Sequence, residues 1–232
     1  MNILLTGASR GIGKAAADAL TAAGHTVIGT STKGGEGLLA ADFADPAAAS
    51  ACWTEALARA GRIGALVNNA GVYEGIGEDA PEAEWQASWA RTMQVNLQAA
   101  ADLCRLAVGH FKEQGGGRIV NVASRAGYRG DSPQHWHYAA SKAALIAVTK
   151  TIARGHAHEG IYAWGVAPGF TVTEMTQEYL ASRGGEKILA DIPLGRVASA
   201  AEVGETIRWL SLEAPASTTG SVIDVNGASY VR

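Results

Sequence analysis

Short apolar runs alternate with longer stretches of helical spacing along this chain, and turn residues mark most of the switches. Ile3 to Thr6 is the first apolar run and predicts a strand. Gly11 to Ala23 repeats small and apolar residues at helical spacing and closes at Gly24, so it predicts a helix. Thr26-Val27-Ile28-Gly29-Thr30 reads as a strand, and Leu38 to Ala41 as another short one. Pro46 to about Ala60 reads as a helix, with Pro46 near the first turn where its missing N–H is harmless. Ala65-Leu66-Val67 is a buried strand, and a helical stretch in two pieces runs from about Glu82 to Gln114. Gly115-Gly116-Gly117 breaks it before the strand Arg118 to Val122. A helix from about Tyr138 to His158, a strand from Tyr162 to Val166, a helix from Glu202 to Leu212 and a strand from Ser221 to Val225 complete the pattern.

Strands that alternate with long helices imply parallel βαβ units with both faces of the sheet covered. The predicted fold is therefore α/β: a single doubly wound, Rossmann-type domain over residues 1–232, with a central parallel sheet of about seven strands. Its glycine-rich half spans about 1–115 and its second half about 116–232. No internal repeat, charge block or Pro/Ser-rich linker divides it. Thr171 to Pro193 has little periodicity and follows Pro168-Gly169; such a segment beside a ligand crevice is expected to be a mobile lid.

Two motifs carry chemistry. Thr6-Gly7-Ala8-Ser9-Arg10-Gly11-Ile12-Gly13 joins the first strand to the first helix. Its glycines permit close approach of a diphosphate to the helix N-terminus, which makes Gly7, Ser9, Arg10, Gly11, Ile12 and Gly13 candidate cofactor residues. The spacing is G-x-x-x-G-x-G rather than the general G-x-G-x-x-G fingerprint. Tyr138-Ala139-Ala140-Ser141-Lys142 places a phenol and an ammonium one helical turn apart. The ammonium is expected to favour the ionised phenol and make it a better acid near neutral pH. A proton donor of this kind suits carbonyl reduction, and the glycine turn suits the dinucleotide that supplies hydride.

The second strand addresses cofactor choice. A site for NAD usually presents a carboxylate there to hold the ribose hydroxyls. Here the strand ends Thr30-Ser31-Thr32-Lys33, with no carboxylate before Glu36. Arg10, Thr32 and Lys33 are expected to accept a 2′-phosphate and to favour NADP(H), with NAD(H) left open.

The glycine turn, Asn68-Asn69-Ala70-Gly71, Asn96, Ser124, Tyr138-x-x-x-Lys142 and Pro168-Gly169 occur in this order. In that set the chain resembles the short-chain dehydrogenases/reductases over essentially its whole length, Val225-Asn226-Gly227 included. Within the family it looks most like the 3-oxoacyl-(acyl carrier protein) reductase branch, in Val27 to Thr30, Pro168-Gly169-Phe170 and Thr173-Glu174-Met175. The resemblance implies a catalytic tetrad of Asn96, Ser124, Tyr138 and Lys142. Asn96 would hold a water that reprotonates Lys142. It also implies that Asp42 contacts adenine and that Asn68, Ala70 and Gly71 line the cofactor. Tyr138 and Lys142 would reach its ribose, with Pro168, Gly169, Thr171 and Thr173 at the nicotinamide. A homo-oligomer, tetramer or dimer, is the expected assembly.

The substrate is less legible. Glu74, Glu78 and Asp79 would serve an acidic carrier protein poorly, while Arg125 and Arg129 follow Ser124 and offer some compensation. Gln134-His135-Trp136-His137 precedes the tyrosine, so Trp136, with Tyr73 and Phe170, is a candidate pocket residue. Two histidines at i and i+2 lack a third ligand of convincing spacing, so no metal is expected. The net charge of -3 gives no basic surface for nucleic acid or anionic membrane. No apolar stretch approaches the roughly 18 residues that span a bilayer, and Cys52 and Cys104 form no disulfide framework. A cytoplasmic location is expected, since the N-terminus lacks the basic start and longer apolar core of a signal peptide. Three functions fit: NADPH-dependent reduction of a ketone or aldehyde, with a 3-oxoacyl thioester as nearest analogue; oxidation of a sugar, polyol or cyclic alcohol; and a non-catalytic dinucleotide-binding sensor. The intact tetrad disfavours the third.

Overall fold

The computed structural model describes residues 1–172 and 185–232. Strands β1 (Asn2–Leu5), β2 (Thr26–Ser31), β3 (Leu39–Ala40), β4 (Ala65–Asn68), β5 (Gly117–Val122), β6 (Ile161–Pro168) and, last in sequence, Val222–Val225 form one sheet. Its spatial order is β3, β2, β1, β4, β5, β6 and the last strand. Every pairing is parallel. The strand order reverses between β1 and β4, so the crevice at their carboxyl ends is where such a fold binds ligands.

The apolar runs are explained by burial on both faces. Leu4, Leu66 and Ile119 face one layer with Phe111 and Trp53, whereas Ile3, Leu5, Val67 and Val120 face the other with Leu20 and Ile207. The first layer contains α2 (Ala48–Ala60) and α4 (Ala99–Gln114); the second contains α1 (Gly11–Ala22) and the helix Ala200–Leu212. Ser199 caps that last helix through a reciprocal bond with Glu202, two N-terminal donors being satisfied at once.

The long helical stretch is in two pieces, as read from sequence, but they are joined without a break. α3 (Glu82–Met93) passes into α4 through a π-helical turn, Gln94–Gln98, and the axis is never released into a loop. α6 begins at Trp136 and runs to His156. A short helix α5 (Ala126–Arg129) follows β5, and Thr171–Val172 pairs with Ala198–Ser199 in a small second sheet. None of these short elements has a repeating apolar pattern long enough to be read in advance. No described helix is long and apolar enough to cross a membrane.

Candidate active site

The glycine turn sits at the carboxyl end of β1, drawn down on both sides. Gly7 N–H donates to Thr30 Oγ1 at 3.2 Å and Ala8 N–H to the Thr30 carbonyl at 2.7 Å, which ties the turn to β2. Thr6 Oγ1 accepts the backbone N–H groups of Asn69 and Ala70, both at 3.0 Å, which ties it to β4. The Asn69 amide donates to the carbonyls of Thr6 and Gly7 at 3.0 Å. Asn69 was read from sequence only as part of the Asn68–Gly71 motif, with no role of its own; its work is to hold the turn closed.

Glycine is required twice here. Gly7 has φ +69, in the left-handed region. A Cβ on Gly13 would land on the Gly7 carbonyl oxygen and within 2.5 Å of the Asn69 amide nitrogen. α1 therefore starts hard against the strand, and Gly13 itself is buried under the turn rather than open to the crevice.

The N-terminus of α1 fits a dinucleotide diphosphate. Arg10 is its N-cap, no side chain caps it, and no acidic residue lies in its first turn. The first N–H groups of a helix have no partner within it. Together with the helix dipole they favour an anion. Arg10, Thr32 and Lys33 are exposed and make no side-chain hydrogen bond or ion pair among the described residues. Asp42 is exposed, its Oδ1 accepting Ala44 N–H at 3.1 Å.

Lys142 is buried on α6, and Nζ donates to the Val122 carbonyl at 2.9 Å. Its Nζ lies 5.7 Å from the Tyr138 ring centroid. Burial pushes Tyr138 up to about 12, and a hydrogen bond from Ser124 offsets only part of that. Burial likewise pushes Lys142 down to about 8. This corrects the expected acidified phenol: desolvation dominates at Tyr138, and the i,i+4 ammonium is spent on a backbone carbonyl. Ser124 Oγ also accepts Ala126 N–H at 3.1 Å, so α5 fixes the hydroxyl at the end of β5.

Asn96 lies in the π turn, where local helical register is shifted. Its Oδ1 accepts Val72 N–H at 2.7 Å, and Nδ2 donates to the Val72 carbonyl at 2.9 Å and to Ser141 Oγ at 3.3 Å. The amide is thus a clamp between the chain after β4 and α6. The Cβ position of Gly71 lies 3.2 Å from Asn96 Oδ1 and 3.5 Å from Lys142 Nζ, so Gly71 keeps a small gap between them.

Other candidates divide. The Asn68 side chain points into the core: Nδ2 donates to Asn121 Oδ1 at 2.9 Å and contacts Cys104 Sγ at 3.2 Å, leaving the backbone as the part near the crevice. Pro168 and Gly169 end β6, and Gly169 packs against Asn226, whose Cα lies 2.9 Å from where a Cβ would be. Thr171 is buried in the small sheet, and Thr173 falls outside the described residues, as does most of the expected lid. Tyr73 meets Tyr138 edge-on at 4.7 Å and stacks on His135 at 3.9 Å. Trp136 instead lies edge-on to Trp85 of α3 at 5.5 Å. His135, which the sequence set in the same loop as Trp136, is thus the ring that Tyr73 stacks on. Phe170 lies under the Arg125 guanidinium, 5.2 Å from its centroid.

Comparison with known proteins agrees with this geometry. A family model described as short chain dehydrogenase matches residues 1–184. The 3-oxoacyl-(acyl-carrier-protein) reductase FabG of Escherichia coli (strain K12) is 34% identical over 242 residues, covering 98% of this chain and 96% of that protein. The 3-oxoacyl-(acyl-carrier-protein) reductase of Synechocystis sp. is 37% identical over 242 residues, covering 97% and 94%. A crystal structure of a protein provisionally described as a short-chain alcohol dehydrogenase, from Sinorhizobium meliloti 1021, superposes with a TM-score of 0.89 at 31% identity, covering 98% of this chain and 95% of that one.

Proposed function

The chain belongs to the short-chain dehydrogenase family and is an NAD(P)-dependent oxidoreductase, and on that premise we propose that it reduces a ketone or aldehyde with NADPH. The observation that carries the reading is the convergence of Ser124, Tyr138 and Lys142, at the same carboxyl edge of the parallel sheet from which the uncapped N-terminus of α1 departs. NADPH, when bound, supplies the hydride that reaches the carbonyl carbon. Tyr138 donates its phenolic proton to the carbonyl oxygen as charge develops there, and Ser124 holds the same oxygen through its hydroxyl. The proton lost by Tyr138 is replaced from Lys142. Asn96 is a positioning residue: by clamping Val72 and Ser141 it fixes the chain beside Lys142 and the helix that carries it.

A phenol held neutral suits the reductive direction, because the tyrosine must arrive with its proton. The absence of a carboxylate at the end of β2, where Thr32 is exposed, with Arg10 exposed in the glycine turn that bonds to β2, supports NADPH over NADH. The names of the two reductases make a 3-oxoacyl thioester the first substrate to try. The proposal extends to a cytoplasmic homo-oligomer, to which the exposed Trp136, Leu194 and Val231 supply apolar surface.

The test is loss of NADPH absorbance with acetoacetyl thioester, ethyl acetoacetate and small ketones, run beside NADH. Tyr138→Phe should abolish turnover and leave cofactor binding nearly unchanged. Turnover of polyols or cyclic alcohols with NAD, and of no carbonyl, would reverse the assignment of direction.

A further inference from the structure

Arg125 directly follows the catalytic serine, yet its charge is poorly matched by its surroundings. The side chain is nearly buried, at 11% exposure. Among the described residues its one side-chain hydrogen bond is to Asp191 Oδ2, at 3.5 Å. Arg129 holds that same oxygen at 2.7 Å and also donates to the Ser229 carbonyl at 3.2 Å. Asp191 therefore belongs mainly to Arg129. A guanidinium has five N–H donors in a fork suited to a carboxylate, and burying that charge with one long bond is costly.

Arg125 lies at the same strand end as the reacting serine. Its backbone N–H donates to the Pro168 carbonyl at 3.0 Å, so the residue is pinned at the carboxyl ends of β5 and β6. Its guanidinium covers the Phe170 ring.

We propose that Arg125, beside Arg129, is an anion subsite that receives the carboxylate of an oxo-acid substrate, with Asp191 as the internal carboxylate that the substrate displaces. The inference rests on the reading of the protein as a carbonyl reductase. The carboxylate binds as an ion; no bond to carbon is made at Arg125. Hydride still goes to the carbonyl carbon and the proton to its oxygen.

Two measurements test it. The first compares kcat/KM for 3-oxobutanoate and 4-oxopentanoate with that for their ethyl esters. The wild type should favour one acid over its ester at least ten-fold. Arg125→Gln should collapse that ratio through KM, Arg125→Lys should restore part of it, and Asp191→Asn should lower KM for the acid. The second is the thermal shift given by malonate on NADP-loaded protein. It should be present in the wild type, larger in Asp191→Asn and absent in Arg125→Gln. An acid-to-ester ratio unmoved by Arg125→Gln overturns the subsite and leaves the reductase standing. If no carbonyl turns over, the reductase reading fails, and the malonate shift alone decides the subsite; equal shifts in wild type and Arg125→Gln overturn it.

Discussion

Lys142 should make the protein more stable as pH rises from 7 to 9, a consequence of burying its ammonium. The folded-state value is about 8, against an ordinary 10.5. Below pH 8 both folded and unfolded chains carry the proton, and the folded chain bears the desolvation cost. Between 8 and 10.5 the unfolded chain binds more protons, so stability rises with pH. Each unit of difference is worth about 1.4 kcal/mol, so the gain reaches about 1.4 kcal/mol at pH 9 and about 3 kcal/mol above pH 10.5. The thiols oppose this. Burial raises Cys52 to about 11 and Cys104 to about 12 from an ordinary 9.0, so their contribution is full below pH 9 and is lost as pH rises toward those values. Tyr138, raised to about 12, behaves likewise, but only above pH 10. Urea unfolding of the wild type and Lys142→Met at pH 7 and pH 9 separates the terms, because the thiols are common to both. The wild type should gain about 1.4 kcal/mol relative to the variant across that interval. Parallel pH dependence in the two proteins would refute a depressed Lys142, and with it the claim that its proton is available to Tyr138 near pH 8.

Asn96→Ala should cost about 1–3 kcal/mol, since it leaves both backbone groups of Val72 without their partner; thermal unfolding reads the loss, and an unchanged midpoint would remove the clamp. Arg10→Ala should raise KM for NADPH about ten-fold, the scale of a charge-assisted bond worth ~1.5 kcal/mol. KM for NADH should stay put; an equal rise for both would place Arg10 on a shared part of the cofactor. Gly13→Ala should fold with a displaced α1 or fail to fold, because its methyl would occupy the space of the Gly7 carbonyl and the Asn69 amide. Retention of wild-type dinucleotide affinity, measured by calorimetry, would show that the turn is looser than this packing implies.

The strands of the sheet and their parallel character were open to reading, though not their order, because burial on two faces leaves an unbroken apolar run, as in Ala65 to Val67, and a glycine or proline follows most of the runs. The short helix α5 and the small second sheet had no such trace. α5 is set by the carbonyl of Ser124 accepting Gly127 N–H, and the Thr171–Val172 pairing by a strand that lies far along the chain. The π turn is likewise silent in sequence, since Gln94 to Gln98 keeps ordinary helical composition.

Side-chain roles were legible as identities more than as partners. Tyr138 and Lys142 were named from spacing and Ser124 from the family resemblance, and the three side chains lie together. Spacing places Cβ atoms, however, and a lysine has four more bonds over which to choose a destination. Lys142 uses them to reach the Val122 carbonyl, an acceptor one strand away whose presence no local pattern announces. That choice decides the electrostatics. An ammonium directed at the phenolic oxygen would lower the phenol, whereas one directed at a carbonyl leaves burial to govern both groups, raising the tyrosine and lowering the lysine. The same cause acting on an acid and a base gives a site in which the tyrosine keeps its proton throughout the physiological range and the lysine alone can exchange one near pH 8. The proposed donation by Tyr138 with resupply from Lys142 rests on that asymmetry, rather than on a pre-ionised phenol.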